Sequence, residues 1–114
     1  MVDEILTGAG FKKGETYAET RFLSPPHSDT FAVYLDTVTG RGADGINLIE
    51  DHAVSIELYE SYPDNDAEVR LETEFNNRGI EYTKQARFWI ESEQLYQVIY
   101  DINYTEKRSV KNYE

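Results

Sequence analysis

The sequence has 114 residues, with 22 acidic and 11 basic side chains, a formal net charge of −11 and no cysteine. This length allows one hydrophobic core and excludes an enzyme of several modules, while the lack of cysteine excludes disulfides, thiolate metal sites and cysteine nucleophiles. The acidic excess repels phosphate backbones and anionic membranes, so ordinary binding to DNA or RNA is disfavoured.

The first 30 residues predict one short helix and little other regular structure. Ile5 and Leu6 begin an apolar stripe and Gly10 is placed to end it, which predicts a helix over about residues 2–9. This segment lacks the pattern of a signal peptide, and no later stretch approaches the roughly 20 apolar residues of a membrane span, so we expect a soluble protein. YAETRF is a candidate edge strand, and SPPHSD is a rigid turn.

Two alternating segments, TFAVYLDTV and HAVSIELYES, predict a pair of half-buried strands. In the second, Val54, Ile56 and Leu58 share one face. Between them TGRGADG contains three glycines in six residues, which favours a mobile or specially shaped loop over about residues 39–47.

The segment PDNDAEVRLETEFNNRG predicts a second helix over about residues 65–78. Asp64 or Asn65 is placed to cap it, and Gly79 to end it. Two strands should follow, IEYTKQARFWI and EQLYQVIYDINYT, with ESEQ as the turn between them. The side chains expected to share a face are Tyr82, Ala86, Phe88 and Ile90 in the first, and Tyr96, Val98, Tyr100, Ile102 and Tyr104 in the second.

This order of elements predicts an α+β fold in a single small domain. We expect a mixed or mainly antiparallel sheet of about four strands packed against two helices. The domain should span residues 1–105, and residues 106–114 should form a C-terminal tail that is flexible or ordered by a partner.

The sequence predicts no catalytic site, no cofactor and no metal. Glu50 and His52 share a strand face, but two ligands without a third do not make a metal site. Glu91 and Glu93 resemble the paired carboxylates of a glycosidase only in spacing, which is common in so acidic a chain. The loop GRGADG lacks the residues of a phosphate-binding or dinucleotide-binding motif.

Tyrosine is the more informative residue type, with nine in the chain. Tyr96, Tyr100 and Tyr104 recur on one strand face, where they either cap a small core or supply an interface, since tyrosine offers a large contact area at low entropic cost. Both interpretations stay open at the level of sequence.

Several segments resemble a family of small phage proteins. These are the proline-rich turn before VYL, the ADG loop before IELY, the helix ending near Gly-Ile, and the closing IESE and LYQVIYD hairpin, which together span about residues 22–104. They resemble the tail-terminator or tail-completion (head–tail joining) proteins of long-tailed, non-contractile bacteriophages and prophages of Gram-positive bacteria.

The resemblance implies a structural virion protein of the tail top, or neck, that is assembled in the host cytoplasm. Such a subunit forms a ring, usually of six, that caps the tail tube and joins it to the head connector, with DNA passing through the channel without specific binding. It implies as partners other copies of the chain, the tail-tube protein and a head-connector or head-closure protein. Candidate interface residues are Arg41, Gly42, Ala43, Asp44, Gly45, Tyr96, Tyr100 and Tyr104.

Two further expectations follow from the resemblance. The glycine-rich loop should be an arm that becomes ordered only on assembly. Part of the acidic excess should line the channel, with Arg41, Lys84 and Arg87 as counter-charges at subunit contacts. The alternatives are another head–tail connector, such as a head-closure protein, or an acidic DNA mimic that inhibits a nucleic-acid-binding enzyme.

Overall fold

The structure, a computed structural model, describes residues 1–42 and 49–107. It is α+β, with two helices and a mixed sheet of six strands. The predicted fold class is confirmed, whereas the prediction of about four strands is wrong. The elements are α1 (Val2–Gly8), β1 (Tyr17–Glu19), β2 (Thr30–Arg41), β3 (Ile49–Glu60), α2 (Asn65–Asn77), β4 (Tyr82–Lys84), β5 (Phe88–Ile90) and β6 (Leu95–Lys107).

Both helices end in the way that the sequence predicts. Gly10 and Gly79 have φ values of +96° and +66°, which suit glycine, and each is followed by an amide that reaches back into the helix. The amide of Phe11 donates to the Leu6 carbonyl, and that of Ile80 donates to the Phe75 carbonyl. At the start of α2, the Asp64 carboxylate accepts a hydrogen bond from the Ala67 amide at 3.1 Å, so Asp64 is the cap.

The sheet is built on three long strands. β3 lies between β2 and β6 and is antiparallel to both, β1 adds to β2 in parallel, and β4 and β5 both pair with β6. The parallel β1 pair makes the sheet mixed. In the described ranges, 1–42 and 49–107, no helix is long and apolar enough to cross a membrane.

The β2–β3 hairpin is longer than the sequence predicts. We expected a loop from Thr39, but β2 continues to Arg41 and β3 begins at Ile49, with Gly40 directly opposite Glu50. A strand tolerates one glycine where the residues on both sides of it continue the hydrogen-bonded ladder. Ten residues of β2 pair in register with β3 before Gly40. Residues 43–47 of the predicted loop lie outside the described residues.

The predicted strand IEYTKQARFWI is two strands. β4 and β5 pair with different parts of β6, and the alternation changes phase between them: Tyr82 lies opposite Ile102, whereas Phe88 lies opposite Gln97. Directly opposite residues share a face, so Tyr82 and Phe88 point to opposite faces and the predicted common face is wrong. The reason is the interruption over residues 85–87, which periodicity alone did not reveal.

The other sheet predictions are mostly confirmed. The turn predicted at ESEQ is present at residues 91–94. β6 continues to Lys107, however, so Glu106 and Lys107 belong to the sheet and not to the predicted tail. Residues 108–114 lie outside the described residues.

The two helices pack on one face of the sheet and form the core there. Ile56 and Leu58 of β3 and Tyr100 of β6 are fully buried against Leu71 and Phe75 of α2. The predicted burial of Val54, Ile56 and Leu58 is therefore confirmed. Within residues 1–42 and 49–107, no helix covers the opposite face of the sheet.

Candidate functional site

Buried charges lie between α2 and the sheet. The Arg87 guanidinium pairs with Glu60 and Glu68, and the Lys84 ammonium lies 2.8 Å from both Glu68 and Glu72. Tyr100 donates a hydrogen bond to the Glu72 carboxylate at 2.6 Å. We refer to these residues as the seam cluster: Glu60, Glu68, Glu72, Lys84, Arg87 and Tyr100.

Glu60 is the most perturbed member of the seam cluster. Its side chain has no exposed surface, and burial together with the neighbouring Glu68 carboxylate raises the pKa of Glu60 to about 8. Perturbed carboxylates are also found in active sites. In the described part of the chain the Glu60 carboxyl group is enclosed, and the ion pairs of the seam cluster join α2 to the strands beneath it.

The seam cluster predicts a specific pH dependence of stability. Because the folded pKa of Glu60 lies near 8 and its ordinary value is 4.5, its contribution is fully present below about pH 4.5 and is lost as the pH rises through about 8. Glu60→Gln should therefore reduce the fall in the free energy of unfolding between about pH 5 and 9, as measured by urea denaturation. The control is Glu57→Gln, a partly exposed carboxylate of the same strand, which should leave the slope unchanged. An unchanged slope in Glu60→Gln would contradict this assignment.

The face of the sheet opposite the helices carries a group of apolar side chains, with polar residues such as Ser55, Glu57 and Asp101 beside them. Phe31 stacks on Tyr59 with ring centroids 5.3 Å apart, and Phe22 meets the edge of Phe31. Leu35 is 42% exposed and Phe88 is 63% exposed. The register places the following residues on this helix-free face: Phe31, Val33, Leu35, Tyr59, Phe88, Leu95 and Ile99.

The three long strands continue past the helices as a sheet extension, formed by residues 36–41, 49–53 and 103–107. Val38, on the helix side, is 47% exposed, which shows that the helical layer has ended. In the described ranges, β1 pairs with β2 only from Ala32 to Tyr34, and β4 pairs with β6 only as far as Ile102. Both outer edges of the sheet extension are thus open to pairing.

On the helix side, the sheet extension carries a histidine surrounded by carboxylates. The His52 Nδ1 atom lies 2.9 Å from Asp36 Oδ2, and its ring stacks on Tyr104 at 4.4 Å. The Nε2 atom lies 3.6 Å from Glu50 Oε1 and 3.5 Å from Glu106 Oε2. Glu50, His52 and Glu106 form the one group of potential metal ligands found in the described part of the chain.

The structure separates the candidate interface residues. Arg41 and Gly42 are exposed at the end of β2, whereas Ala43, Asp44 and Gly45 lie outside the described residues. Tyr96 is partly buried beside Trp89, and Tyr104 is partly buried on His52. Tyr100 is fully buried, so for this residue the core interpretation is correct and its side chain has no surface to offer a partner.

The predicted counter-charges are already paired within the subunit. Lys84 and Arg87 belong to the seam cluster, and Arg41 Nε lies 2.7 Å from Asp51 Oδ2. The Asp51 carboxylate also accepts a hydrogen bond from Thr105, at 2.8 Å. These three cations therefore stabilise their own subunit, which the sequence prediction did not include.

Sequence reasoning missed two features of these surfaces. The sequence shows the common face of Glu50 and His52 but not the third potential ligand, Glu106, which the prediction assigns to the tail. The signal was present, because the alternation of β6 continues as Tyr104 and Glu106 on one face. Sequence reasoning also missed the helix-free face. The clearest indication of that face in the sequence is that β2 carries aromatic and aliphatic side chains at both alternating sets of positions.

The other candidate catalytic residues do not converge. Glu91 and Glu93 lie exposed in the turn before β6, where Glu91 accepts a hydrogen bond from the Trp89 indole at 2.6 Å. His27 is exposed in the proline-rich segment.

No family model, curated protein or solved structure matches the chain.

Proposed function

We propose that this protein is a structural subunit of a phage virion, a tail terminator that forms a ring on the tail tube and joins it to the head connector. The identification depends on the resemblance of residues 22–104 to that family. The observation that carries the assembly part is the helix-free face, where Leu35 and Phe88 are exposed on a sheet whose opposite face is already packed. Together with the aromatic cluster of Phe22, Phe31 and Tyr59 near this face, these two side chains support an interaction surface there.

The open edges of the sheet extension support a ring in particular. One edge belongs to β2 and the other to β6, so an interface between them joins two different surfaces of the subunit. Such head-to-tail contacts generate a closed ring when the rotation between subunits closes. A dimer with a twofold axis would instead use the same surface twice.

The charge of the subunit is suited to a channel for DNA. The net charge is −11, and a negative lumen would let the duplex pass without being held. Arg41, Lys84 and Arg87 each pair with carboxylates of their own subunit, which partly neutralises their charges.

Mass measurement of the purified protein, alone and with tail-tube protein, tests this proposal. We expect one discrete ring, either of the isolated protein or on the ends of tail tubes. The resemblance implies six copies in this ring. A monomer or dimer that ignores the tube and binds a nucleic-acid-binding enzyme would overturn the proposal and favour the DNA-mimic alternative. A ring that binds the head connector but not the tube would favour a head-closure protein.

A pair of matched substitutions tests the role of the helix-free face. Phe88→Asp places a charge on that face, and Val69→Asp places one on the outer surface of α2, where the wild-type side chain is 60% exposed against 63% for Phe88. Both variants should fold, since neither residue is buried. Only Phe88→Asp should abolish ring formation, as measured by native mass spectrometry. Equal assembly of the two variants would count against this face as the interface.

A further inference from the structure

The sheet extension contains a buried nitrogen atom with no hydrogen-bond partner. His52 is 8% exposed, and its Nε2 atom makes no hydrogen bond within the described part of the chain. Burying such an atom is unfavourable unless something binds it. Nε2 points at two carboxylates on the same face, those of Glu50 on β3 and Glu106 on β6, which are direct partners across the two strands.

The imidazole ring is held in a fixed orientation. Asp36 accepts a hydrogen bond from Nδ1 at 2.9 Å, and Tyr104 stacks on the ring with an angle of 7° between the planes. With its proton on Nδ1, the ring presents a lone pair at Nε2. The same carboxylate–histidine arrangement orients histidine ligands in metal sites and increases their basicity.

The separations between the three potential ligand atoms are compatible with one bound metal ion. The two separations from Nε2 are 3.6 Å and 3.5 Å, and all three potential ligand atoms lie within 4.8 Å of one another. Zn²⁺ bonds of about 2.1 Å in a tetrahedral site separate neighbouring ligands by about 3.4 Å.

We propose that Glu50, His52 and Glu106 bind Zn²⁺ at the helix side of the sheet extension. An imidazole nitrogen with two carboxylates is a donor set for zinc and related transition metals, whereas Mg²⁺ and Ca²⁺ prefer oxygen alone. Three protein ligands leave a fourth position for water. The ion would neutralise two facing carboxylates and fasten β3 to β6 where both sheet edges are open. The site revises the expectation of no metal, and it is independent of ring formation because one chain supplies every ligand.

Titration of the full-length protein with Zn²⁺ tests the proposal by calorimetry and native mass spectrometry after treatment with a chelator. We expect one ion per chain and a rise in the unfolding temperature with Zn²⁺ concentration, since the ion binds only the folded state. Mg²⁺ should produce neither effect. Cobalt(II) should compete for the same site and give the absorption bands of a four-coordinate ion.

Matched variants locate the binding site. His52→Gln should abolish stoichiometric binding, Glu106→Gln should weaken it at least tenfold, and Asp36→Asn should weaken it about 10–100-fold through the orientation of the ring. His27→Gln, which changes the other histidine of the chain, should bind as the wild type does. Glu106 is 44% exposed in its side chain, so Glu106→Gln provides a test even if His52→Gln does not fold.

Two results would overturn the proposal. One is the absence of stoichiometric Zn²⁺ binding by folded wild-type protein. The other is binding that Glu106→Gln and His52→Gln leave unchanged, because the ion would then lie elsewhere on this acidic surface.

Discussion

Replacing Arg87 by methionine should lower the free energy of unfolding by about 3 kcal/mol at neutral pH. The guanidinium contacts Glu60 and Glu68, whose side chains are 0% and 4% exposed. Removing one partner of a buried ion pair leaves the other charge uncompensated, which costs about 3–5 kcal/mol. We expect the lower end of this range because Glu60, with a pKa of about 8, is largely protonated at neutral pH, and Lys84 still pairs with Glu68. Urea denaturation measures the loss.

The same substitution should cost more at pH 9 than at pH 6. Above pH 8 the Glu60 carboxyl group ionises in the wild type, and Arg87 is the cation that opposes the increase in its pKa. In a Glu60→Gln background this additional loss should disappear. A matched control is Arg78→Met. The Arg78 side chain is 32% exposed, against 31% for Arg87, but it pairs with Glu4 and Glu74 at the surface. Its cost should stay below about 1 kcal/mol, and equal costs would disprove the role of burial.

Features determined by neighbouring residues could be predicted from the sequence. The cap at Asp64 and the stops at Gly10 and Gly79 depend on residues within one or two helical turns, and all three are confirmed. The alternation of β3 and β6 likewise gave the correct faces. Both strands are long, and their apolar positions face one continuous helical layer.

Features determined by distant pairing were predicted poorly. The break between β4 and β5 depends on which part of β6 each one meets, and Arg87, within the break, reaches Glu60 and Glu68 across the sheet. β2 also continues past Gly40 because it pairs in register with β3, although the local composition favours a loop. A period of two residues contains no information about such partners.

The candidate sites show the same limit. Glu50 and His52 are two residues apart, so their common face was visible, whereas Glu106 becomes their neighbour only through the pairing of β3 with β6. Tyr96, Tyr100 and Tyr104 lie on one strand face but end in three environments. Tyr100 is beneath α2, Tyr104 lies on His52, and Tyr96 is beside Trp89 near the end of the sheet.

Truncating Ile56 to alanine should lower the free energy of unfolding by about 2–5 kcal/mol. Ile56 is fully buried and lies between Tyr34 and Tyr100 in the sheet, on the face that the helices cover. The removed methyl groups leave a cavity, because side chains in two layers cannot all move to fill it. Urea denaturation of the unassembled subunit measures the loss, and the folded fraction that remains should still form the proposed ring.

Leu35→Ala is the matched control for Ile56→Ala, because it removes a similar aliphatic side chain from the opposite face. Leu35 is 42% exposed in β2, directly opposite Ser55, which neighbours Ile56 in the chain. Its loss should change the free energy of unfolding by less than about 1 kcal/mol but weaken self-association, because in the proposed ring a neighbouring subunit covers the helix-free face. If Leu35→Ala destabilised the subunit as much as Ile56→Ala does, the helix-free face would be part of the subunit core. If it left ring formation intact, Leu35 would lie outside the interface.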